Sequence, residues 1–386
     1  EKQNITQAYN ALWEEQGVRI GPSGMEEYHT TIPGVPHVCL KIPTGGGKTF
    51  IASCSVKPVF DAMPNIHPKA VVWLVPSDAI LTQTITALQN VDHPYRRRLN
   101  ADFSSNVEVY TKEQLLNGQN FDPVSVDEQL SVFVVSYDSF RTANKEGRKA
   151  FQQNGQLQKF VSHFNADDEP LGNADISSLI QVIRHYRPIV IVDESHHATT
   201  NLSLEMLKNF NPSFILELTA TPKNFSNVIS IVSSQTLKDA EMIKLPVIVY
   251  NPFDKETLIQ SVINQRKNLE ERAAAEEKYI RPIALFQAAP NTNDDAETFD
   301  KIKNDLIRAG IDEKEIAIKT ANINELGNTN LQDENCQIRY IITINALKEG
   351  WDCPFAYILA SLANKQSQTD VEQLVGRILR QPNTST

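Results

Sequence analysis

Apolar residues in this chain gather in short, unbroken runs rich in β-branched side chains: HVCLKI (37–42), AVVWLV (70–75), SVFVV (131–135), PIVIV (188–192) and SFILEL (213–218). Runs that do not alternate with polar positions suit strands buried on both faces, as in a parallel sheet covered by helices. The mixed segments between them have room for crossover helices. The pattern predicts a doubly wound α/β domain, whose ligands bind at the C-terminal ends of the strands. It then repeats with PIALF (282–286), EIAIK (315–319), IRYIITI (338–344) and AYILAS (356–361), predicting a second parallel sheet. Between the two sets, KETLIQSVINQRKNLEERAAAEEK (255–278) places Leu258, Ile259, Val262, Ile263 and Leu269 on a helical stripe. The domain boundary is expected just before it, at Asn251-Pro252, giving domain 1 over 1–250 and domain 2 over 251–386. Residues 144–187 are polar and read as a long surface connection or insertion.

Composition narrows the class without naming a chemistry. With 41% hydrophobic and 22% charged residues, the 386-residue chain is ordinary globular material, long enough for two cores. No run of about 18 apolar residues occurs, so neither a membrane span nor a membrane partner is expected. No signal peptide is visible, and a cytoplasmic location is expected. Cys39, Cys54, Cys336 and Cys353 lack CxxC spacing and read as thiols in a reducing compartment. Net charge of -10 and a pI near 5.4 argue against a generally basic coat for nucleic acid. A local basic track remains open, because affinity comes from the few cations that meet phosphates. The chain opens on Glu1 and closes on Thr386, as expected for a piece of a longer one.

Three stretches carry candidate chemistry. In KIPTGGGKTF (41–50) a buried strand and a Pro lead into Thr44, Gly45, Gly46 and Gly47, and Lys48 and Thr49 then open a helix. Glycines let successive backbone N–H groups point into one anion-sized cup, and the helix N-terminus adds its positive end. Lys48 is the candidate for β/γ-phosphate charge and Thr49 offers a hydroxyl to Mg²⁺. Ile42 stands where the general phosphate-loop motif has its first Gly. A Gly-rich turn without a ligand is the plainer alternative, but it leaves the Lys-Thr pair and the preceding strand without a role. In PIVIVDESHH (188–197) four apolar residues end on two carboxylates at the edge of a hydrophobic sheet. Asp193 is the candidate Mg²⁺ holder, and Glu194 the group that orients and deprotonates an attacking water. The alternative is a strand-end turn that caps the next helix. His196 and His197 have no third ligand at useful spacing, which argues against zinc. In EQLVGRILRQ (372–381), Gln373, Arg377 and Arg380 share one helix face, and Val371, Leu374, Val375 and Ile378 the other. Guanidinium groups aimed from a second lobe suit a γ-phosphate, whereas an isolated amphipathic surface helix would leave them solvated.

With these residues the chain resembles the superfamily 2 helicases and translocases, which have two RecA-like lobes and ATP in the cleft between them. PTGGGKT is similar to motif I, WLVPSDAILTQT (73–84) to motif Ia, and VSYDSFR (135–141) to the nucleic-acid-facing segment that follows. DESH (193–196) resembles a DExH form of motif II, and LTATP (218–222) resembles motif III. IALFQA (283–288), NALKEGWDCP (345–354) and QTDVEQLVGRILRQ (368–381) fall at motifs IV, V and VI. Within the superfamily, DAEMIKLPV (239–247), EGWDCP and TDVEQLVGRILRQP are most similar to the Res motor subunit of type III restriction enzymes and related bacterial defence proteins.

That resemblance implies that His196 reports nucleotide state by touching motif III or Gln373. It also implies that Thr219 and Thr221 link the ATP site to the nucleic-acid site. Gly350 and Asp352 are expected at the interlobe cleft and the bound strand, and Arg377 and Arg380 as arginine fingers. Ser77, Thr82, Tyr137 and Arg141 are expected at the sugar–phosphate backbone, and Gln7 is a candidate adenine reader. The implied activity is a nucleic-acid-stimulated ATPase using ATP and Mg²⁺, driving a motor on nucleic acid, duplex DNA in the first instance. A methyltransferase or specificity subunit, or another defence protein, is the implied partner. An RNA helicase and an ATP-gated switch without translocation remain the alternatives. The chain stops just past motif VI, so no nuclease activity is expected from this stretch.

Overall fold

In the computed structural model, residues 4–140, 148–164, 169–193, 201–223, 226–244, 247–250, 254–289, 298–320, 322–327, 329–344, 353–362 and 379 are described, without the side chains of 201–203. The chain divides into two compact units, Glu1–Pro43 with Gly47–Val232, and Thr44–Gly46 with Ser233–Thr386.

The first unit is built on a seven-stranded sheet: β1 (His37–Lys41), β2 (Ala70–Val75), β3 (Val107–Thr111), β4 (Leu130–Ser136), β5 (Ile189–Asp193), β6 (Phe214–Thr219) and β7 (Val228–Ile231). The order is β3-β4-β2-β5-β6-β1-β7, and every pairing is parallel. All six residues of β2 are buried, and they split by parity. Ala70, Val72 and Leu74 enter the core on one face with Phe133, Val190 and Val192. Val71, Trp73 and Val75 enter the core on the other face with Val132, Val134 and Ile191. This two-sided burial is why the runs do not alternate.

One face is closed by α2 (Lys48–Ala62) through Ala52, Val56 and Phe60. The other is closed by the helix Leu179–His185, which buries Leu179, Ile180, Val182 and Ile183. The segment read as a surface connection is therefore partly core. Ala150, Phe151, Leu157, Phe160 and Tyr186 join the same cluster. Short 3-10 turns and one-turn helices bring them in, at spacings too irregular for a periodic signal. Two strands carried no clear sequence signal: β3 interleaves Glu108 with apolar residues, and β7 is a short edge strand with an exposed end.

The first helix, α1 (Ile5–Glu15), packs Tyr9 and Trp13 beside Cys39 and Val228 at the β1–β7 edge, and the Trp13 indole donates to the Val228 carbonyl at 2.9 Å.

The second unit carries a four-stranded parallel sheet of β8 (Ile283–Gln287), β9 (Ile316–Lys319), β10 (Tyr340–Thr343) and β11 (Ala356–Ser361), in the order β11-β8-β10-β9. The helix Lys255–Ala275 buries Ile259, Val262 and Ile263 as its stripe predicts. It also buries Arg266, which donates to the Tyr340 hydroxyl at 3.2 Å and to Glu270 at 2.8 Å. No described helix is long and apolar enough to cross a membrane.

Candidate functional site

Parallel strands all end at one edge of their sheet, and in the first unit that edge collects the predicted loops. The register pairs Lys41 with Thr219, and Asp193 with Leu218, so β1, β6 and β5 end level. With β6 between them, β1 and β5 lie about 10 Å apart, two strand spacings. Beyond β1, the Ile42 amide donates to the Thr219 carbonyl at 2.9 Å and prolongs the β1–β6 ladder by one residue. The chain then turns through Thr44–Gly47. Gly45 (φ 86°) and Gly47 (φ 74°) adopt the left-handed conformation that side chains resist.

Gly47 is the N-cap of α2, where no side chain accepts from the first turn. A Cβ at Gly47 would meet no atom within 4 Å, so its glycine is required by backbone conformation and not by crowding. Lys48 and Thr49 are the first residues of α2, whose opening turn is secured by the Ile51 amide on the Gly47 carbonyl at 3.0 Å. Such a helix start, fed by left-handed glycines, fits an anion.

At the end of β5, Asp193 is only 7% exposed. A carboxylate at this depth needs a cation or hydrogen-bond donors. Its position at the same sheet edge as the end of β1, two strands away, suits a hard oxygen-bound cation shared with a phosphate group. Among the described residues no three His, Cys, Asp or Glu side chains stand together to hold a metal ion by themselves.

Tyr137 follows β4 and is 2% exposed; its hydroxyl donates to the Asp193 backbone carbonyl at 3.2 Å. Expected at a nucleic-acid backbone, its ring instead braces the strand end that carries Asp193. Thr219 is fully buried, and its hydroxyl accepts from the Thr221 amide at 3.2 Å, closing a tight turn after β6. Ser77, after β2, caps α3 (Asp78–Gln89) by accepting from the Ile80 amide. Thr82 is exposed one turn later, its hydroxyl donating to the Asp78 carbonyl at 2.9 Å. Within the first unit the fold thus gathers Gly47–Thr49, Ser77, Tyr137, Asp193, Thr219 and Thr221 at one sheet edge. Gln7 lies in α1, which packs at the β1–β7 edge. Arg141, Glu194, His196, His197, Gly350, Asp352, Gln373, Arg377 and Arg380 lie outside the described residues.

A polar network that sequence reasoning missed lies behind the site. Glu217, two residues before Thr219, stands 2.9 Å from His37 Nε2 and accepts from the Ser226 hydroxyl at 3.2 Å. Asn227 donates to the His29 and His37 carbonyls and accepts from the His29 amide, at 2.7–2.9 Å. Burial, seconded by the charge of Glu217, pushes the Cys39 thiol far up and keeps it protonated. A lone Glu inside FILELT was the available signal, because a carboxylate in a buried strand requires partners.

The family model for the type III restriction enzyme res subunit matches residues 6–224. Among curated proteins, none matches the sequence. Among solved structures, the ATP-dependent Type ISP restriction-modification enzyme LlaBIII, bound to DNA, superimposes with a TM-score of 0.52 at 15% identity, over 99% of this chain and 27% of that one. Lower-scoring superpositions are a putative HsdR subunit fragment of a type I restriction enzyme from Vibrio vulnificus YJ016 (TM-score 0.47, 16% identity, 89% and 57% coverage) and Mss116p bound to ssRNA and AMP-PNP (0.47, 12%, 90% and 64%). At such identities the likeness to LlaBIII is one of fold, and the chain spans little more than a quarter of that enzyme. The family match covers more than half of the 386 residues and includes β1 through β6 with the glycine loop and Asp193: the chain belongs to the family of the type III restriction enzyme res subunit.

Proposed function

We propose that this chain is an ATP-driven motor that moves on duplex DNA within a restriction or defence system. The observation that carries the reading is the left-handed glycine loop running into an uncapped helix, on the same sheet edge as the buried Asp193. Backbone N–H groups of Gly45–Lys48 and the Lys48 ammonium hold the triphosphate of ATP. Thr49 and Asp193 would hold Mg²⁺, which would supply charge neutralisation at the phosphoryl oxygens. Glu194 orients and deprotonates the attacking water. Gln373, Arg377 and Arg380 meet the γ-phosphate; His196, Gly350 and Asp352 sense it. Thr219 and Thr221 relay the nucleotide state to contacts at Ser77, Thr82 and Arg141 on the sugar–phosphate backbone. Such contacts carry little sequence information, so target choice belongs to a partner, a methyltransferase or specificity subunit.

Duplex DNA is expected to stimulate ATP hydrolysis. Lys48→Ala and Glu194→Gln should each lower the stimulated rate by at least about a hundredfold, the scale of losing an electrostatic or acid–base contribution. Unchanged hydrolysis in both variants would refute the assignment. Titration against duplex DNA, single strands and RNA separates a DNA motor from an RNA helicase. Intact hydrolysis without triplex displacement would identify an ATP-gated switch.

A further inference from the structure

Within the second unit, Lys244 makes a set of contacts that the proposed chemistry does not use. Its ammonium donates to the carbonyls of Pro354 at 2.6 Å and Ala356 at 2.7 Å. It also stands 3.9 Å from the centroid of the Tyr357 ring, close enough for a cation–π contact. Its backbone amide donates to the Leu379 carbonyl at 2.6 Å. The grip is well placed on both sides. Pro354 ends the segment EGWDCP, and Leu379 stands in sequence between Arg377 and Arg380. Pro354–Ala356 is fixed from the sheet side as well: the Ile283 amide donates to Phe355, and the Ala356 amide to Cys353. Cys353, Phe355 and Ala356 are buried.

We propose that Lys244 is a positioning residue, a latch that joins the chain leaving EGWDCP to the chain between Arg377 and Arg380 so that the two are held in fixed relation. The proposal rests on the motor reading above, in which both segments answer to the γ-phosphate. Lysine suits the task because a compact ammonium directs several donors at once, here to two carbonyls on one side of a turn and toward an aromatic face. The apolar stem spans the distance, so removing the charge alone leaves the packing volume nearly intact. A group misplaced by about 1 Å costs catalysis up to a hundredfold. The latch therefore acts on turnover and not on ATP binding.

The test is Lys244→Met in the whole chain, with hydrogen exchange and ATPase kinetics measured side by side. Exchange in peptides covering 353–361 should rise about tenfold, as the loss of the side-chain tie permits, while the main-chain bond to Leu379 is kept. DNA-stimulated kcat should fall about tenfold with the KM for ATP within about twofold, since an interaction felt in the transition state has been lost. Lys244→Arg, which keeps charge and donors, should recover most of the rate. Unchanged exchange overturns the latch. So does faster exchange with wild-type kcat, which would make Lys244 a structural staple only. If Lys244→Met does not fold, Tyr357→Leu removes the ring and leaves both carbonyl bonds; a kcat loss of about threefold supports the latch, and none overturns it. A wild-type chain without stimulated hydrolysis would defeat the motor reading before any variant was made, and the exchange measurement would still decide whether the tie exists.

Discussion

His93 begins the helix Pro94–Asp102 with an acceptor that acid removes. Its Nδ1 accepts from the Tyr95 amide at 3.3 Å, and the ring lies edge-on to Tyr95. Burial holds its pKa below the ordinary 6.5. With the folded value depressed, the unfolded chain takes up the proton first, so stability rises with pH between the two values. The contribution is complete above the ordinary value and is lost as pH falls through the folded one. His93→Asn, which caps without titrating, should flatten the difference in urea-unfolding free energy between pH 7 and pH 5. Gly47 gives a second residue-scale test. Gly47→Ala meets no neighbour, so its cost is the left-handed backbone alone, about 1–2 kcal/mol in chemical denaturation. A larger loss would mean crowding that the geometry excludes.

Elements here are joined by side chains reaching main-chain groups far away in sequence. Asn227, on the approach to β7, satisfies three backbone groups, the amide and carbonyl of His29 before β1 and the carbonyl of His37 at its start. Asn227→Ala should cost about 1–3 kcal/mol, because it leaves the buried His37 carbonyl unpaired, while the partly buried His29 groups can turn to water; thermal unfolding measures it. The central strands were readable because both faces are buried and most positions are apolar. The edge strands β3 and β7 were not, since edges tolerate polar residues and short lengths. Nor did polarity along 144–187 betray the buried Phe151, Leu157 and Phe160. A few large side chains can anchor an otherwise polar segment without leaving a period. The candidate site divides in the same way. Glycines, Lys48, Thr49 and Asp193 stood out because their chemistry is local, whereas the burial of Tyr137 under Asp193 depends on β2 lying between β4 and β5.

At the scale of the molecule, the two sheets have separate cores: Leu74 lies in one and Leu285 in the other. Leu74→Ala and Leu285→Ala should each destabilise by about 2–5 kcal/mol. Hydrogen exchange should quicken around 70–75 in the first variant and around 283–287 in the second, each leaving the other sheet protected. Joint quickening in both would mean a single cooperative unit.

The amino-acid sequence by itself determined which segments become buried parallel strands, where the glycine loop opens a helix, and which acid ends another strand. These are settled by residue type within a few positions, through burial, backbone freedom and charge. Only the tertiary structure decided that β6 separates the glycine loop from Asp193, that Tyr137 turns inward, and that Lys244 grips carbonyls 110 and 112 residues away. Those depend on which strands become neighbours, and sheet order is fixed by the whole packed core, not by any local stretch of chain.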